Sequence, residues 1–165
     1  MPERAQIVIA NTTPLIALAE IHHLDLLRHL YGEILVPRAV QDEIMAGGSM
    51  GIGVKEFQTA EWIHAVEVKD ARRPKYFTDL DRGEAEVVAL AEEMKAERVI
   101  IDELLGRKHA RRLGFEVTGS IGVLIKAKQA GILIEIAPLF KAWEETGRLW
   151  ISEDLKKEAL RRAGE

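Results

Sequence analysis

The chain has 165 residues, 47% hydrophobic and 30% charged, with 23 Lys and Arg against 27 Asp and Glu and a net charge of −4. That mix predicts a single soluble domain over residues 1–165 with a real core, and the acidic balance argues against a general polyelectrolyte binder while leaving room for a local basic patch or an acidic metal site. Cysteine is absent, which excludes disulfides, thiolate metal centres and cysteine nucleophiles; no apolar run approaches the ~20 residues of a membrane span and no signal-peptide pattern opens the chain, so the expected location is the cytoplasm.

Ile7 to Ala10 reads as a buried strand, and the polar turn Asn11, Thr12, Thr13 leads into Pro14, a favourable first helical position. Asn11 therefore ends the first strand. It, Thr12 or Thr13 could cap the helix Pro14 to Ala19. A second helix, Leu24 to Leu30, closes at Gly32, and Ile34 to Val36 is a short strand before a helix from Pro37 to Met45. On that helix Glu43 falls between Ala39 and Val40 and near Ile44, so it is expected to face inward, with Asp42 outward. A carboxylate on an apolar stripe costs free energy unless it is paired, hydrogen-bonded or bound to a cation. Residues 47–53 hold four glycines and read as a loop, a candidate lid. Trp62 to Val68 is the third strand. The stretch Asp70 to Phe77, with Arg72, Arg73, Lys75 and Tyr76, is a basic and aromatic loop that suits nucleic acid or is plain surface.

Asp81 followed by Glu84 marks the start of a helix whose stripe is Val87, Leu90, Ala91 and Met94. Glu84 shares that face, while Glu86 and Glu93 point elsewhere. It is either half of a capping box or an inward functional acid. Arg98 to Ile101 is the fourth strand, with Asp102 at its carboxyl end, where open α/β sheets bind ligands and where an Asp also caps helices. In the helix that follows, Ala110 and Leu113 should pack inward, leaving Lys108, Arg111 and Arg112 as a phosphate rim or a solvated face. Phe115 to Val117 is the fifth strand. Thr118 to Gly122 opens a helix through Ala130 whose free N–H groups could hold a phosphate or simply be capped. Helices at Ala137 to Glu145 and Ser152 to Ala163 pack on the domain, with Trp143, Leu149 and Trp150 as a packing or dimer surface.

Strands alternating with helices predict an α/β fold, a three-layer α/β/α arrangement around a parallel five-stranded sheet. Right-handed crossovers favour the order 3-2-1-4-5, which brings Asn11 beside Asp102. Glu43 and Glu84 could converge there to complete an oxygen-lined site for a hard cation. A G-x-G-x-x-G after the first strand, which a Rossmann nucleotide binder would carry, is missing.

The segments VIANTTPLIALA, ILVPRAVQDEI, DRGEAEVVALA and IIDELLGRKHARRLGFEVTGSIGVL, in that order and spacing, resemble the PIN-domain family, in the branch described as a domain of unknown function and similar to toxin-type PIN ribonucleases. The likeness runs from Ile7 to the last helix. It implies a metal-dependent endoribonuclease acting on single-stranded RNA, with Mg²⁺ or Mn²⁺ held by Asn11, Glu43, Glu84 and Asp102, the same four residues being catalytic. Thr12 and Thr13 match the hydroxyl position beside the first acid. Arg107, Lys108, Arg111, Thr118 and Ser120 are the expected substrate contacts. The family's first Asp falls on Asn11, an uncharged oxygen ligand. The implied partners are RNA, an antitoxin protein if the chain is the toxin of a pair, and a second copy in a homodimer, with no membrane. A non-catalytic RNA- or protein-binding module that kept the fold without the first Asp is the alternative.

Overall fold

The computed structural model describes residues 5–47, 51–146 and 150–165. Five short runs rich in β-branched or aliphatic residues form one parallel sheet: β1 (Val8–Ala10), β2 (Ile34–Pro37), β3 (Ile63–Val66), β4 (Arg98–Ile100) and β5 (Glu116–Thr118), in the order 3-2-1-4-5. β1 is wholly buried and β2 nearly so, as expected of central strands covered on both faces. The register pairs Ile9 with Leu35 on one side and with Val99 on the other, and Ile100 with Thr118. Strand order reverses between β1 and β4, so their carboxyl ends open a cleft at the place where such sheets bind ligands.

The helices are α1 (Thr12–Glu20), α2 (Leu26–Tyr31), α3 (Arg38–Ala46), α4 (Val54–Thr59), α5 (Arg82–Met94), α6 (Leu104–Arg112), α7 (Ser120–Gln129), α8 (Ala137–Thr146) and α9 (Glu153–Arg162). Together with the sheet they make a three-layer α/β/α arrangement. The core joins Ile9, Leu18, Leu27, Ile34, Leu90, Ile100 and Leu124 to Phe140 and Trp143 of α8. Val87, Leu90 and Ala91 of α5 are fully buried, as its stripe predicts, because the 3.6-residue repeat keeps them on one face.

Several expectations are revised. Of the packing and dimer roles open to it, Trp143 takes packing: it is fully buried and its indole N–H donates to Ala17 O at 2.7 Å. Trp150, by contrast, is 84% exposed; Leu149 lies outside the described residues. α4 forms just past the glycine-rich stretch, of which residues 48–50 also lie outside the described ones. Pro37 ends β2 and serves as the N-cap of α3 instead of starting the helix. Leu113 is 39% exposed, because α6 has ended at Arg112 before it can turn inward. The loop 70–77 contains a 3₁₀ turn, Arg73–Tyr76, and its arginines are paired: Arg72 with Asp70, and Arg73 with both oxygens of Glu92. Its positive charge is largely neutralised by those acids. No helix among the described residues is long and apolar enough to cross a membrane.

Candidate active site at the carboxyl edge of the sheet

Asn11 leaves β1 with its backbone N–H still bonded to Ile100 O at 2.9 Å, so the β1–β4 ladder places it directly in the cleft. Although Asn11 is the N-cap residue of α1, its side chain makes no capping hydrogen bond. Its Nδ2 instead donates to Glu103 Oε2 at 3.1 Å. A carboxylate can only accept, so this bond fixes the amide's orientation and turns Oδ1 the other way. Asn11 is 3% exposed, and Oδ1 is a buried acceptor with no hydrogen-bond partner among the described residues. Buried polar atoms are almost always satisfied, and an orphan costs on the order of 1–3 kcal/mol.

Glu43, Asp81 and Glu84 lie on the elements beside that oxygen. Glu43, near the end of α3, does not face inward as the helix wheel predicts: it is exposed, and its Oε2 accepts from the buried Thr12 hydroxyl at 2.7 Å. A methyl group at Gly83 would meet Glu43 Oε2 at 3.1 Å, Asn11 Oδ1 at 3.4 Å and Asp81 Oδ1 at 3.5 Å, so these oxygens converge on the bare first turn of α5. Glu84 is both a cap and a buried acid. It completes a capping box, accepting from Asp81 N at 3.2 Å while Asp81 Oδ1 accepts from Glu84 N at 2.8 Å, and it is also buried beside the acids. Loss of water, then the like charges of Asp81, Glu103 and Glu43, push its pKa up; the hydrogen bond from Asp81 opposes them.

The fourth carboxylate in this group is Glu103, which the sequence argument passed over. It accepts from Thr13 Oγ1 at 2.5 Å and from Asn11. Asp102 is directed elsewhere, accepting from Ser120 N at 2.7 Å and Ser120 Oγ at 2.5 Å. Burial pushes the Asp102 pKa up, against the Ser120 hydrogen bonds that favour its charged form. The amide at the start of α7, a candidate phosphate donor, is thus engaged by Asp102, and Thr118 Oγ1 accepts from Arg98. Arg107 donates to Ile101 O at 3.0 Å, while Lys108 and Arg111 stand exposed on α6. Gly106 lets α6 approach closely: a Cβ there would lie 2.4 Å from Ile101 Cδ1 and 3.9 Å from Glu84 Cγ. His109 Nε2 meets Asp79 at 2.9 Å and fastens α6 to the loop before α5.

The structure therefore gathers Asn11, Thr12, Thr13, Glu43, Glu84 and Glu103, with Asp81 at the rim, and sets Asp102, Thr118 and Ser120 on the adjoining side of β4. An amide oxygen, hydroxyls and carboxylates are the donors a hard divalent cation takes, and the orphan Asn11 Oδ1 is an acceptor suited to one. Each carboxylate is already held by a neighbouring N–H or O–H. Among the described residues no three Asp, Glu or His side chains are close enough as they lie to form a metal-ligand group.

Comparison with curated proteins found no match. The model of a family described as a PIN domain matches residues 7–165, nearly the whole chain, and so this protein belongs to the PIN-domain family, with its nuclease-type fold.

Proposed function

We propose that the protein is a metal-dependent endoribonuclease that hydrolyses single-stranded RNA. The observation that carries this reading is the buried, unpartnered Asn11 Oδ1 facing the same glycine surface as Glu43 Oε2, with Glu84 and Glu103 beside them. PIN domains are usually nucleases and generally use divalent ions, which supports the assignment. Mg²⁺ or Mn²⁺ would be held by Asn11, Glu43, Glu84 and Glu103. When bound, such an ion polarises a phosphodiester and lowers the pKa of water. Thr12 and Thr13 orient Glu43 and Glu103 through their hydroxyls, and Gly83 leaves the approach to the oxygens open. Asp102 acts from behind, fixing the start of α7 through Ser120. Arg107, Lys108 and Arg111 meet the RNA backbone. A role as the toxin of a toxin–antitoxin pair, an antitoxin partner, a cytoplasmic location and a homodimer using the exposed Trp150 belong to the same proposal.

Cleavage of a labelled single-stranded RNA, titrated with Mn²⁺ and Mg²⁺, tests it. Weak Mn²⁺-dependent cleavage is expected, stronger than with Mg²⁺, because affinity at oxygen and nitrogen sites rises along the transition series and Mg²⁺ gives up water reluctantly. Glu103→Gln should abolish it. Full activity of Glu103→Gln together with its loss in Asp102→Asn would move the fourth ligand to Asp102.

One observation favours the second reading, a non-catalytic RNA- or protein-binding module. The Asn11 amide donates to Glu103, a bond that an ionised Asp could not make, so the amide nitrogen and that carboxylate hold each other without a cation. RNA binding with no metal-dependent cleavage would select that module.

A further inference from the structure

Beside the edge strand β5 a groove of about 650 Å³ runs between α6 and α7 and is reached by α9. Five basic side chains line it, among them Arg98, Arg107, Arg111 and Lys126, against two acids, Asp102 and Glu116, in a chain whose net charge is −4. Both acids are engaged, Asp102 by Ser120 and Glu116 by Arg98 Nη2 at 3.0 Å. Arg98 is itself engaged, by Thr118 and Glu116, with its Nε buried away from solvent, and Arg98 and Lys126 both lie over the Tyr31 ring; among the described residues neither Arg111 nor Lys126 forms a salt bridge there. Burial first, and then like charge, disfavours the charged forms of both cations: Lys126 lies near Arg98 and Arg107 near Arg111, with Glu116 and Asp102 opposing. Like charges held together on a partly desolvated surface cost free energy, which an anion between them relieves. No aromatic ring lines the groove among the described residues, so it offers contacts for phosphates and no platform for stacking bases.

The groove adjoins the acid cluster through the start of α6, since Asp102 lines one and the next residue, Glu103, belongs to the other. We propose that this groove holds two phosphodiesters of a single strand whose reacting bond lies at the acid cluster, one at Lys126 and one between Arg107 and Arg111. The assignment rests on the ribonuclease reading and extends it, giving the strand a path along β5 and adding Lys126 to its contacts. The site reads backbone charge and tolerates any base.

The test measures binding apart from chemistry. A fluorescent 2′-O-methyl oligonucleotide is titrated with the full chain in EDTA across a range of KCl, and fluorescence anisotropy is read. Lys126→Met and Arg111→Gln, both changes at side chains without salt bridges, should each lower the slope of log K against log salt by about 0.7, and the double variant by about 1.4. Lys55→Met, on α4 away from the groove, should leave the slope unchanged. An unchanged slope in the double variant, or no binding by the unaltered chain, overturns the proposal. So does displacement of the strand by poly-glutamate as readily as by unlabelled oligonucleotide at equal charge, which would make the groove a dock for acidic protein. Cleavage of ordinary RNA with Mn²⁺ is scored separately. If binding behaves as expected while no cleavage occurs, the phosphate groove stands and the ribonuclease reading fails.

Discussion

An amide and a carboxylate share a shape and differ by a full charge, and at position 11 that difference sets the electrostatics of the cleft. Asn11 donates to Glu103 and adds no charge beside Glu43 and Glu84. Asn11→Asp replaces that bond with repulsion inside a buried site, so in EDTA it should destabilise the fold by about 3 kcal/mol, near the lower end of what an uncompensated buried charge costs. Saturating Mn²⁺ should restore most of the loss, as chemical denaturation with and without the ion will show. Glu84 gives a second prediction. Its folded pKa lies above the ordinary value, so its ionised form is penalised in the fold; the protonated form's advantage is complete below the unfolded pKa, about 4.3 for Glu, and is lost as pH rises through the folded pKa. Glu84→Gln keeps an oxygen for the capping box and removes the charge. Its Tm in EDTA should exceed that of the parent at pH 7, and the gap should close on acidification below pH ~4. The helix wheel turned Glu43 inward and it is exposed, whereas the strand-end place of Asn11 and the burial of Glu84 were legible. Glu103 was not: successive residues leave a strand on opposite sides, and the sequence pairs Asp102 with Glu103 without saying which of them turns to the cleft.

On the scale of elements, α5 delivers the site through its first turn, where Gly83 leaves the oxygens uncovered. Gly83→Ala should stabilise the helix by up to about 1 kcal/mol, yet weaken Mn²⁺ binding, because the new methyl stands 3.1 Å from Glu43 Oε2 and 3.4 Å from Asn11 Oδ1. Thermal melts and calorimetric Mn²⁺ titration would read the two effects independently; a variant that gains stability and binds the ion as before would remove Gly83 from the site. The same paired Asp81 and Glu84 made this helix readable in advance, since a capping box and a 3.6-residue stripe agree. The strands were likewise readable as short aliphatic runs between turn signals. α4 was not, because its six residues are too few to show a helical repeat: Val54 and Phe57 are its only apolar side chains and both are only half-buried. Surface basicity misled for a different reason: Arg72 and Arg73 look free in sequence, but Asp70 and the distant Glu92 neutralise them only once the chain is folded.

For the whole molecule, the core runs from the sheet into the last helices, with Trp143 of α8 packed against Phe140 and bonded to α1 through Ala17 O. Trp143→Ala should cost about 3–5 kcal/mol and lower a single unfolding transition, whereas a separate early transition for the C-terminal helices would divide the domain. The same tie holds α1, and with it Asn11 at its start, against the remainder of the fold, so the cleft and the core are one mechanical unit. The ribonuclease reading turns on the charge at position 11. The most direct test is to compare Mn²⁺-dependent cleavage of single-stranded RNA by the native chain and by Asn11→Asp, with Mn²⁺ affinity measured on the same samples. The account predicts weak cleavage by the native protein and a joint rise in Mn²⁺ affinity and cleavage rate in Asn11→Asp. Tighter Mn²⁺ binding with no cleavage by either protein would contradict it and leave the fold as a binding module.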